Sequence, residues 1–188
     1  MFALIFGLSF LANAQDVQKD QPKGYQFTDI KRLPATSVKD QARAGTCWSW
    51  SGISFFESEM IRMGKEPIDL SAMYIVRHAY SDKATKFVRL HGNMNFAVGG
   101  AFCDVMHVIK NYGIVPMDVY KGLNYGEPNH AFGEIDDVLA GYINAVIKNS
   151  NKKLSTAWKK GFDGILDAYL GEEPEKFEYK GKEYTPRT

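Results

Sequence analysis

Gln41-Ala42-Arg43-Ala44-Gly45-Thr46-Cys47-Trp48-Ser49-Trp50 puts one cysteine at the head of an apolar-periodic run, six residues after a glutamine. The run from Cys47 to Met63 carries Ile53, Phe56, Met60 and Met63 at helical spacing and stops at Gly64, which predicts a helix with those four on its buried side. Cys47 then sits at a helix N-terminus. There the unpaired backbone N–H groups and the positive end of the macrodipole stabilise a thiolate, the nucleophilic form of cysteine. A tetrahedral intermediate needs donors aimed at its developing oxyanion, and the Cys47 N–H with the Gln41 amide offers two. The pattern points to acyl transfer through a thiol.

Further signals follow in order: Leu70-Ser71-Ala72-Met73-Tyr74, then Gly99-Gly100, then Asn111-Tyr112-Gly113-Ile114-Val115-Pro116. Together with Gln41, Cys47 and Trp48 they resemble the papain superfamily of cysteine peptidases, in which a glutamine, five residues and then Cys-Trp open the central helix of the left-hand domain. Secreted members usually carry a cysteine three residues before the nucleophile, a position held here by Ala44. That departure resembles the bleomycin hydrolase and aminopeptidase C branch. The resemblance implies an α+β papain-like fold, of which this chain covers mainly the helical left-hand domain. It also implies Cys47 as nucleophile, Gln41 in the oxyanion hole, and peptide-bond hydrolysis through a thioester. Aminopeptidase action and assembly into homo-oligomers are implied by the same branch.

The imidazole base is the missing part. A cysteine nucleophile of this type needs a histidine oriented by a third group, and papain-like enzymes place that histidine and its asparagine roughly 130–150 residues or more beyond the cysteine. His78, His91, His107 and His130 all come earlier, and none stands in a matching motif. His78 and His107 fall on predicted helices as surface or satisfied core residues, while His91 and His130 fall in loops. The expectation is the N-terminal portion of a longer peptidase, with the catalytic His and Asn outside this chain. The alternatives are a non-catalytic peptide-binding module and a thiol-dependent acyltransferase.

Gly99 and Gly100 precede the amphipathic run Phe102, Val105, Met106, Ile109, which ends at Gly113. In papain-like folds the matching glycines line the cleft, where a missing side chain lets substrate backbone approach, so both are substrate-binding candidates. Cys103 falls on the apolar face of that helix and is expected to be a buried, free thiol. Trp48 and Trp50 are expected to be packing residues.

Ser71 is placed to cap a helix that ends before Ser81. Ile114-Val115 ahead of Pro116 reads as extended, and 124–129 as a turn-rich loop that borders the cleft. From Gly133, the stripes Ile135, Val138, Leu139, Tyr142, Ile143, Val146, Ile147 and then Trp158, Phe162, Ile165, Leu166, Tyr169 predict two core helices joined by the polar stretch 148–153. Alternation in Phe177-Glu178-Tyr179 and Lys182-Glu183-Tyr184 about Gly181 predicts a hairpin.

The chain has 188 residues, 45% of them hydrophobic, and a net charge of +1. That suits one packed domain and gives no basic stripe for nucleic acid; Lys152-Lys153 and Lys159-Lys160 are short solvated pairs. At the N-terminus the apolar run Phe2 to Leu11 with Ala12-Asn13-Ala14 resembles a secretory signal without its positive n-region. It is too short for a membrane span, which needs about 20 residues. The expected organisation is a signal at 1–14, a flexible lead-in at 15–24, the helical left-hand domain at 25–171, and the start of a strand-rich right-hand domain at 172–188. Export to the periplasm or exterior follows from the signal, with a cytoplasmic location as the alternative. Phosphate-binding loops and metal-ligand clusters are absent from the sequence pattern, so neither a cofactor nor a metal is expected.

Overall fold

The computed structural model describes Gly24, Tyr25 and residues 27–188. The signal at 1–14 and most of the lead-in at 15–24 lie outside the described residues. Chain contacts divide into two units, Met1–Arg32 and Leu33–Thr188. In the first, Asp29 and Arg32 pair at 3.8 Å on an exposed stretch.

The second unit begins its regular structure with α1 (Cys47–Arg62) and α2 (Ala72–Arg89), followed by α3 (Phe102–Tyr112), α4 (Gly133–Ile147) and α5 (Trp158–Leu170). A short antiparallel pair, β1 (Phe177–Tyr179) and β2 (Lys182–Tyr184), closes the order. Lys180 and Gly181, both at positive φ, make the two-residue turn, and Phe177 pairs with Tyr184 as the alternation predicts. Beyond β2, the Pro186 carbonyl accepts from Ile114 N–H at 2.8 Å, fastening the tail to the exit of α3.

α2 is the innermost helix. Ser71 caps it by accepting the Tyr74 N–H at 3.0 Å, and every residue from Leu70 to Tyr80 is buried. It meets α1, α3, α4 and α5, and its N-terminal half is enclosed on all sides, as an apolar surround requires. It does not end before Ser81 but runs to Arg89. The polar pair that reads as a stop is satisfied by neighbours: Ser81 Oγ donates to Asp163 at 2.8 Å, and Asp82 accepts from Tyr112 Oη at 2.7 Å. Buried Ala84, Phe87 and Val88 then continue the apolar row.

The buried side of α1 also differs from the expected one. It is Trp48, Ser49, Gly52, Ile53 and Glu57, whereas Phe56 and Met60 are half-buried and Met63 is exposed. Close approach of helices decides this. A Cβ on Gly52 would lie 2.7 Å from Val105 of α3, and Ser49 Oγ donates to the Ala72 carbonyl of α2 at 2.7 Å. The face carrying 49, 52 and 53 therefore turns inward, and Met63 falls past the last turn.

α3 ends at Gly113 as predicted, but it buries only Val105 and Val108. Cys103 lies two positions before Val105, on the opposite side of the helix, and is exposed rather than buried. Both cysteines are free thiols. α4 buries Ile135, Leu139 and Ile143, and α5 buries Phe162 and Leu166, all from their predicted stripes; Leu170 is buried as well, whereas Val138 of the α4 stripe is exposed. Among the described residues no helix is long and apolar enough to cross a membrane.

One buried polar cluster joins α2 to α5. Arg77 is 5% exposed and pairs with Asp167 and with Glu173, while His78 stacks on Tyr112 with ring centroids 4.1 Å apart. Burial, reinforced by the Arg77 cation, pushes the His78 imidazole down to about 4; Asp82 and Asp163 oppose this more weakly. The Glu173 carboxylate, 3.4 Å from Nε2, is neutralised by Arg77 and does not reverse it. Below the ordinary value of 6.5 the unfolded chain takes up a proton that the folded chain refuses. Stability should therefore rise with pH between those values and fall as pH drops through them, by about 2 kcal/mol from pH 7.5 to 5. Chemical denaturation of the wild type and of His78→Leu checks this, since the substitution should flatten that part of the profile.

Candidate active site

The loop leading into α1 is shaped by its own turns and by the segment before α4. Ala42 N–H donates to Asp40 Oδ1 at 2.7 Å, and Ala44 N–H to the Gln41 carbonyl at 3.3 Å. Arg43 then bridges to residues 130–132, its N–H donating to the His130 carbonyl at 2.9 Å and its carbonyl accepting from Phe132 N–H at 3.2 Å. Gly45 takes φ +66 against Val98, a conformation that suits glycine, and delivers the chain to the buried Thr46.

Cys47 emerges from this turn exposed, at the first position of α1. The Thr46 side chain does not cap the helix; its Oγ1 accepts from Trp50 Nε1 at 3.1 Å instead. The first turn carries no acidic residue. The N–H groups of Cys47 and Trp48 have no intrahelical partner by position, so the helix end is left to an anion. Gln41 is half-buried, with its Oε1 enclosed and unbonded. It therefore holds an amide not committed to another group in the loop that enters the helix.

Trp48 is a packing residue with a second task. Its indole Nε1 donates to the Val98 carbonyl at 3.0 Å, and a Cβ on Gly100 would lie 2.5 Å from the indole. The Gly99–Gly100 segment is thereby held against the residue next to Cys47. Gly99 has open space around its Cα. The two sequence-predicted elements, the thiol and the double glycine, thus come together through Trp48.

The histidines are spread out. His78 is buried among aromatic rings, His107 is exposed beside Asp82 at 3.1 Å, and His91 is exposed in the turn after α2. His130 packs edge-on against Trp50 at 6.0 Å, and burial lowers its basicity. It lines a small cavity of about 210 Å³ with Asp40, Ala42 and Trp50 on the flank of the loop that carries Gln41, which places residues 128–130 near the candidate site. The larger cavity of about 560 Å³ lies elsewhere, between the β1–β2 tail and the α1 and α3 helices. Among the described residues no group of three or more His, Cys, Asp or Glu is placed to hold a metal ion.

Three supporting residues escape sequence reading: Glu57, Lys39 and Lys83. Glu57, 1% exposed, accepts from Leu70 N–H at 2.7 Å, from Lys39 Nζ at 2.8 Å and from Thr36 Oγ1. Burial alone would lower the Lys39 pKa, yet bonds to Asp69 and Glu57 outweigh it and hold the ammonium above the ordinary lysine value. Lys83 reaches from α2 to the carbonyls of Ala97 and Gly99. A glutamate inside an otherwise apolar helical row is the one signal that could have revealed Glu57; a lone lysine on a helix gives none.

The profile of the papain family cysteine proteases matches residues 22–159 of this chain, and the chain belongs to that family. No curated protein matches its sequence. Among solved structures it is similar to PepW from Lactobacillus rhamnosis, with a TM-score of 0.56 and 19% identity over 82% of this chain. That likeness bears out the papain-like α+β fold. The chain spans 43% of the length of that structure.

The glycine pair gives a test of its own. Gly100→Ala forces a methyl into the Trp48 indole and should cost about 1–3 kcal/mol of stability. Gly99→Ala meets nothing in the protein and should leave stability within about 0.5 kcal/mol. Thermal unfolding of both variants checks the contrast.

Proposed function

We propose that this chain carries the nucleophilic half of a cysteine peptidase. Cys47 Sγ adds to the carbonyl carbon of a peptide bond, and the oxyanion is met by the Cys47 N–H and the Gln41 amide. The C–N bond then breaks as an imidazolium gives its proton to the leaving amine, and water cleaves the thioester to return the thiol. The imidazole and the amide that orients it come from sequence outside residues 1–188. On this reading 25–171 is the left-hand domain and 172–188 the opening of the right-hand one. The observation that carries the proposal is the exposed Cys47 at an uncapped, acid-free helix N-terminus, beside a glycine edge held by Trp48.

Ala44 in place of a disulfide cysteine favours the bleomycin hydrolase branch, and with it aminopeptidase action and a homo-oligomer of the longer protein. The signal-like residues 1–14 favour export. Both rest on sequence alone.

Intact-mass labelling with a peptidyl epoxide tests the nucleophile. Labelling should fall on one site and vanish in Cys47→Ala while Cys103 stays unmodified by this reagent. Acylation by a peptidyl p-nitrophenyl ester should slow by about 10²-fold in Gln41→Ala, with the iodoacetamide rate unchanged. Equal labelling of wild type and Cys47→Ala would leave the peptide-binding module in its place.

A further inference from the structure

Three successive carbonyls of the loop before α3 are each taken by a side chain from the helices beneath it. Lys83 Nζ donates to the Ala97 carbonyl at 3.2 Å and, more closely, to the Gly99 carbonyl. Between them the Val98 carbonyl accepts from Trp48 Nε1 at 3.0 Å. The loop from Gly92 to Ala101 is anchored in its middle by Phe96 against Tyr80, Phe87 and Phe162, and the three carbonyl bonds fix its last stretch at 97–99.

We infer that Lys83 is a positioning residue of the peptide cleft, whose ammonium fixes residues 97–100 as a preformed edge beside Cys47. The inference rests on the peptidase reading and adds to it the device that holds the substrate-binding segment. The ammonium lies 5.5 Å above the Trp48 ring and 5.8 Å from the Tyr80 ring, so two aromatic faces and two carbonyls surround it. The nearest acidic influences are Asp104 of α3 and Asp136 of α4, with Lys86 opposing on α2. Burial outweighs those acids and pulls the Lys83 pKa below the ordinary lysine value, so the cation depends on the carbonyls it holds.

Preorganisation of this kind acts on binding of peptide backbone and not on the thiol itself. Lys83→Met keeps the aliphatic stem over Trp48 and removes the charge. In the longer protein that carries the imidazole, the concentration of a peptidyl epoxide giving half-maximal labelling rate should rise roughly tenfold, the cost of one charge-assisted bond. The iodoacetamide rate should be unchanged, and Lys83→Arg should recover part of the loss. Amides of residues 98–101 should exchange with deuterium faster in Lys83→Met, while those of α2 and α5 stay protected.

A parallel loss toward both reagents would mean a general change at Cys47 and would overturn the inference, as would unchanged exchange at 98–101. If the wild type shows no preference for the peptidyl epoxide over iodoacetamide, the peptidase reading fails. The clamp is then decided by the exchange result alone.

Discussion

A carboxylate inside a helix bundle is tolerable only with its partners in place, and Glu57 is such a group. Taken from water without compensation it would cost several kcal/mol, so Lys39, Thr36 and the Leu70 N–H are required by the fold and not incidental to it. The partners come from two different stretches of chain. Lys39 and Thr36 lie just before the loop that carries Gln41. Leu70 forms the bridge to Pro116 from which α2 departs. One side chain on α1, roughly 15 Å along the helix from Cys47, thus registers the approach to Cys47 and the start of the innermost helix at once.

The site inherits its geometry from that registration. Residues 40–46 are held at one end through Lys39 and at the other by the Arg43 bridge to 130–132, so Cys47 leaves the turn in a set direction. On the other flank, Trp48 and Lys83 hold the glycine segment by its carbonyls. Cys47 opens α1, the segments around it are loops, and the helices fix those loops through polar bonds as well as apolar packing. A merely hydrophobic lining would not specify where an amide or a carbonyl points.

Local chemistry was legible wherever a short stretch settles the matter. The helix from Cys47, the Ser71 cap, the Gly113 stop and the hairpin about Gly181 each follow from a few residues and their neighbours. The errors came where distant partners decide. Ser81-Asp82 reads as a helix end because its bonds to Asp163 and Tyr112 cannot be seen from the sequence. The inward side of α1 turns on Gly52 meeting Val105, and the exposure of Cys103 on which row of α3 that contact selects. Gln41, Cys47, Gly99 and Gly100 stand out as candidates in the sequence by their spacing and resemblance. Glu57, Lys39 and Lys83 were not, since their roles exist only once the chain has folded.

The central claim is that the buried Glu57 carboxylate ties the Gln41 loop and the root of α2 to α1, the helix that Cys47 opens. Amide hydrogen exchange on Glu57→Ala tests it most directly. The account predicts that the variant loses about 3–5 kcal/mol of stability yet folds, that the Leu70 amide loses its protection, and that residues 36–43 exchange faster while the α4 and α5 cores stay slow. Unchanged exchange at Leu70 and 36–43 would contradict it, because those segments would then be held by something other than Glu57.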